Sequence, residues 1–113
     1  MEQSNTAQIE VGLITPSGRL DAFNIADLRD AVTDYLDQGI CQLVIDLSQT
    51  TFFDSAAMAV LVSGLKRSRQ LGGDLKLVSP QVEEAQRIFH LTRFDRVFDM
   101  VATAAEARNK FGV

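Results

Sequence analysis

The chain has 113 residues, 46% hydrophobic and 23% charged, and its fifteen acidic and eleven basic side chains leave a net charge of −4. That length suits one domain with a sizeable core, and the composition excludes a disordered chain. The acidic balance argues against a nonspecific nucleic-acid binder, and the single cysteine, Cys41, excludes a disulfide framework or a cysteine-rich metal centre.

The opening "MEQSNTAQIE" is polar, with no basic stretch leading into an apolar one, and no run approaches the roughly 18 apolar residues of a membrane span. The expectation is a cytoplasmic protein without membrane contact. It forms a single domain over 1–113, with residues 1–7 as a flexible lead-in. In "QIEVGLIT", Ile9, Val11 and Leu13 alternate as in a strand, and Pro16 and Gly18 end the run. A short extended piece around Arg19 and Leu20 follows. "FNIADLRDAVTDYLDQG" then carries a helical stripe of Ile25, Leu28, Val32, Tyr35 and Leu36. Asn24 is placed as its N-cap, Asp27 complements the dipole, and Gly39 stops it.

"CQLVIDL" is a short β-branched run suited to a central strand, where Cys41 reads as a small buried hydrophobe. The segment from Ser55 to Leu71 is helical and ends at Gly72-Gly73. "DLKLVS" is a strand with Leu75 and Leu77 on one face, and Pro80 opens the next element. "QVEEAQRIFH" is a short helix, "RVFDMV" a short strand, and "TAAEARNKFG" a terminal helix capped by Thr103. Strands alternating with helices give an α/β class: a mixed, mostly parallel sheet with about four helices packed on it, in which the early strand can pair antiparallel. The long helix is apolar almost all round at its start and must be covered on several sides.

The polar pair Asp54-Ser55 sits between an apolar run and this helix, in "LVIDLSQTTFFDSAAMAVLV". Either residue suits a helix cap, because its side-chain oxygen can accept a backbone N–H. The same position suits a switch. A serine in the first helical turn lies where free N–H groups and the macrodipole favour an anion, so the fold would tolerate a phosphate there. A partner docked over that tip would meet about two extra negative charges beside a carboxylate and would be expelled. Spacing alone leaves both readings open.

The order "SGRLDAFNIADLR", "LVIDLSQTTFFDSAAMAVLV", "LGGDLKLVSP" resembles the STAS domain of bacterial anti-sigma factor antagonists, over roughly Ile9 to Phe111. Gly18-Arg19-Leu20-Asp21 and Asp54-Ser55 are its most specific matches. The resemblance implies a non-enzymatic binding protein that needs no cofactor. Its partner would be an anti-sigma factor that is also an ATP-dependent serine kinase. The unphosphorylated protein would bind it, phosphate on Ser55 would release it, and a PP2C-type phosphatase would restore binding. Ser55 becomes the acceptor, and Asp21, Asn24, Asp54, Ala57 and Met58 join it on the docking surface. A homodimer through the sheet edge is compatible with the same fold. Where the family continues Asp-Ser with Ser or Thr, then Gly and an aliphatic residue, this chain has Ala56, Ala57 and Met58. The departure bears on partner identity and favours the alternative of a non-switching STAS module in a larger regulatory or transport complex.

Other signals are weaker. His90 is the only histidine and cannot build a multi-histidine metal site. A Ser55-His90 hydrolase would lack the glycines of a nucleophile elbow, and Gly72-Gly73 matches no phosphate-loop template. Lys66, Arg67 and Arg69 near the end of the long helix suit either its dipole or a contact patch. Phe52 and Phe53 read as core anchors ahead of Asp54.

Overall fold

The computed structural model describes residues 9–113; the lead-in expected over 1–7 lies outside them. Strands β1 (Val11–Ile14), β2 (Gly18–Leu20), β3 (Gln42–Asp46), β4 (Thr50–Phe53), β5 (Asp74–Val78) and β6 (Asp99–Val101) alternate with helices α1 (Ile25–Asp37), α2 (Ser55–Gln70), α3 (Glu83–Leu91) and α4 (Ala104–Lys110). A 3-10 turn, Phe94–Arg96, separates α3 from β6. Four strands form the main sheet in the order β1-β3-β5-β6, and β2 with β4 forms a second, two-stranded one.

Every pairing among these strands is parallel. The α/β class and the four helices agree with the sequence, but the early strand does not pair antiparallel. β1 runs alongside β3, with Val11 opposite Gln42 and Ile14 opposite Ile45, because β2 and α1 carry the chain back before β3 begins.

Strand periodicity separates two cores. Leu43, Ile45, Leu75 and Leu77 share one buried cluster with Leu28 and Val32 of α1 and Leu61 and Leu65 of α2. The alternate residues Val44 and Val78 join Val101 and Ala107 of α4 in a second cluster, against which Val11 and Phe111 pack. Leu13, one of the expected alternating strand residues, instead remains largely exposed. On the α3 side, Phe53 meets Phe89 edge-on with ring centroids 5.2 Å apart, and Phe89 meets Phe98 in the same way. Gly64 lets α2 approach β5, since a Cβ there would lie 3.0 Å from the Leu75 side chain.

Candidate functional site

β4 was not expected as a strand, and it builds the site. Its parallel pairing with β2 sets Leu20 opposite Phe53, so Asp21 and Asp54 leave the small sheet side by side. The Asp54 N–H donates to the Leu20 carbonyl at 3.2 Å, which ties the two exits together. Asp54 is then the N-cap of α2: Oδ1 accepts from the Ala57 N–H at 2.9 Å. Its other oxygen, Oδ2, accepts from the Ala22 N–H, also at 2.9 Å. The Ala57 N–H holds the carboxyl below its ordinary range, against a smaller opposing effect of burial, and the Ala22 N–H adds to the lowering.

The loop from Asp21 to Asn24 is knotted on itself. Asn24 does not cap α1 with its side chain. Instead its Oδ1 accepts from the Asp21 N–H at 3.0 Å, and its Nδ2 donates to the Arg19 carbonyl at 2.7 Å. The helix start is satisfied from the backbone, because the Asp21 carbonyl accepts from the N–H groups of Asn24 and Ile25. Asp21 Oδ1 accepts from the Phe23 N–H at 3.1 Å, and Oδ2 lies 3.5 Å from Arg19. The loop lifts Phe23 clear of the fold, with 98% of its surface exposed. Sequence reasoning missed Phe23; the available signal is an aromatic lying off the Ile25, Leu28, Val32, Leu36 stripe.

Ser55 is exposed at the first position of α2. Among the described residues its hydroxyl has no hydrogen-bond partner, because Asp54 already performs the capping. The two expected neighbours differ from it. Ala57 is fully buried, its methyl turned into the main core, and so presents nothing to a partner. Met58 is also nearly buried and reaches the surface only as part of a groove wall. The helical register explains both, since Ala57, Leu61 and Leu65 form the core-facing stripe.

From Ser55 a groove of about 860 Å³ runs along α2 towards Lys66, Arg67 and Gln70, with Ile88, Thr92 and Phe94 on its far side. His90 does not line it; its side chain is exposed and lies 3.5 Å from Asp95. The Ser55-His90 pairing is therefore not formed, and the Ser55 hydroxyl is accessible at one end of the groove. Phe52 is half-buried beneath Arg19, whose guanidinium stands 4.1 Å over the ring, while Phe53 is a core anchor as expected. Among the described residues no His, Cys, Asp and Glu cluster could hold a metal ion, and no helix is long and apolar enough to cross a membrane.

Comparison with known proteins agrees with this geometry. The STAS domain model matches residues 3–107. The tm1081 protein of Thermotoga maritima, whose assignment as an anti-sigma factor antagonist is itself provisional, has a crystal structure that superposes with a TM-score of 0.81. It is 31% identical, and the match covers 88% of this chain and 86% of that one. The anti-sigma-B factor antagonist of Bacillus subtilis is 28% identical over 100 residues, 88% of this chain and 87% of its own. The Bacillus cell fate determinant SpoIIAA, solved in its phosphorylated form, shares the fold at a TM-score of 0.70 with 17% identity, over 96% of this chain and 97% of that one.

Proposed function

The chain belongs to the STAS domain family, and we propose that it is an anti-sigma factor antagonist whose docking surface is switched by phosphate on Ser55. The observation that carries this reading is the division of labour at the start of α2. Asp54 caps the helix, which leaves the adjacent serine hydroxyl exposed and without a structural duty. Its partner is an anti-sigma factor that is also a serine kinase. The unphosphorylated protein binds it, the phosphorylated protein does not, and a PP2C-type phosphatase resets the cycle.

The docking surface comprises Ser55, Asp54, Asp21 and Phe23, with Asn24 acting through the loop it holds. A phosphate on Ser55 places roughly two negative charges beside the Asp54 carboxylate. The helix end tolerates them, and a closely packed partner would have to strip their hydration. The fold therefore survives while the complex is lost. The Ala56-Ala57-Met58 departure gives a non-switching module little support, because Ala57 faces the core, Met58 reaches the surface only in the groove wall and Ala56 is half-exposed.

Two variants test the reading against the anti-sigma factors of the source genome. Ser55→Ala should bind its partner as the unmodified protein does, and Ser55→Asp at least about tenfold more weakly, with both folded. Equal binding by the two would remove Ser55 from the switch.

A further inference from the structure

The groove beside α2 has a polarity that the switch does not use. Its helical wall is one stripe of α2, made by Ser55, Met58, Ala59, Val62, Ser63, Lys66, Arg67 and Gln70, at spacings of three and four residues. The middle of that stripe is apolar and faces Ile88 and Phe94, with Phe53 between. One end is acidic, at Asp54. The other end is cationic, and its charge is uncompensated: among the described residues neither Lys66 nor Arg67 meets a carboxylate. Arg69, just beyond them, is paired with Asp74 at 3.1 Å. Arg67 is held in place by a neutral group, donating from Nη1 to the Thr33 hydroxyl at 3.0 Å.

We propose that this groove binds a long-chain carboxylate, with its alkyl chain on Met58, Val62, Ile88 and Phe94 and its head group at Lys66 and Arg67. The volume, about 860 Å³, falls within the usual range of small-ligand sites, which are mostly apolar with a few placed polar groups. Eleven residues separate Ser55 from Lys66, a rise of about 17 Å along the helix, the reach of an extended myristate. Charge fixes the direction. At the Ser55 end the full negative charge of Asp54 outweighs the roughly half positive charge of the helix N-terminus, so an anionic head is disfavoured there. At the opposite end two full cations outweigh the helix terminus, which carries only about half a negative charge. A cationic or uncharged amphiphile gains nothing there. The bound chain would end against Ser55, so the groove adjoins the phosphorylation site, while its binding does not require the modification.

The test uses the full chain, isotopically labelled, titrated with laurate below its micelle concentration and followed by amide shifts. The expected result is saturable shifts confined to residues of the groove, among them Val62, Ser63, Lys66, Ile88 and Thr92. Dodecyltrimethylammonium, of equal chain length and opposite charge, should bind about tenfold more weakly or less. The double variant Lys66→Ala with Arg67→Ala should lose about tenfold in laurate affinity while keeping a native spectrum, because neither side chain is in the core. Equal binding of the two amphiphiles, scattered shifts or none would overturn the proposal. So would groove shifts that follow protein concentration without ligand, since they would make a second copy of the chain the occupant.

Discussion

At Asp54 one carboxylate serves two segments that are distant in sequence. Oδ1 caps α2 through Ala57, and Oδ2 holds the Phe23 loop through Ala22. Both bonds need the ionised form most, so the folded carboxyl titrates below its ordinary 3.8. A lowered folded pKa means stabilisation that is present above that value and lost as pH falls through the folded one. Asp54→Asn should therefore be less stable than wild type near neutral pH, with a gap that narrows in paired urea midpoints taken well below 3.8. A constant difference at both pH values would mean that the charge is irrelevant. The Asp-Ser pair was visible in the sequence, but its division of labour was not. Either side chain could cap, and only the approach of Ala22, 32 residues away, commits Asp54 to both bonds.

Among the elements, α1, α2 and β5 were legible because their apolar spacing matches their period and glycines end the two helices, Gly39 and Gly72 taking positive φ. β4 was not. Thr50-Thr51-Phe52-Phe53 shows no alternation of apolar and polar residues, and among the described residues its only strand partner is the three-residue β2. That pairing depends on a non-local register that no local pattern encodes. The cap expected of Asn24 failed for a related reason, since its amide is already engaged by Asp21 and Arg19. Close approach is another property seen only in three dimensions. Gly73 precedes β5, where an added Cβ would run into the carbonyl of Cys41 at the start of the neighbouring strand. Gly73→Ala should cost about 3 kcal/mol, read from the urea midpoint at unchanged slope. A loss below roughly 0.5 kcal/mol, the scale of ordinary surface substitutions, would show that the β3–β5 contact yields easily.

Across the whole molecule, one buried lysine joins the second core to the sheet. Lys76 lies on the α4 face of β5 with its side chain only 9% exposed, 3.2 Å from Asp74 and 2.9 Å from Asp99. Lys110 of α4 holds the other oxygen of Asp99 at 3.0 Å, and the Phe111 ring lies 4.5 Å from the Lys76 ammonium. Burial pushes the lysine pKa down, but the hydrogen bonds to Asp99 and Asp74 and their charges outweigh it, and the net shift is upward. Its stabilisation is therefore complete below about pH 10.5 and lost as pH rises through the folded value. Lys76→Met should cost about 1–2 kcal/mol near neutral pH, and the difference should shrink in strongly alkaline urea titrations. In the sequence Lys76 is a polar break in a strand, and nothing marks the acids that meet it. α4 is thereby fastened on the sheet face opposite α1 and α2, leaving the tip of α2 as the exposed end of a rigid frame. On the proposed reading this tip receives a phosphate. That reading is tested most directly by incubating the protein with ATP, magnesium and each anti-sigma kinase of its genome, then locating phosphate by intact-mass and peptide mass spectrometry. One phosphate is expected, on Ser55, and none on Ser55→Ala. A kinase that binds the protein yet leaves Ser55 unmodified would contradict it and reduce the Asp54-Ser55 pair to a helix cap.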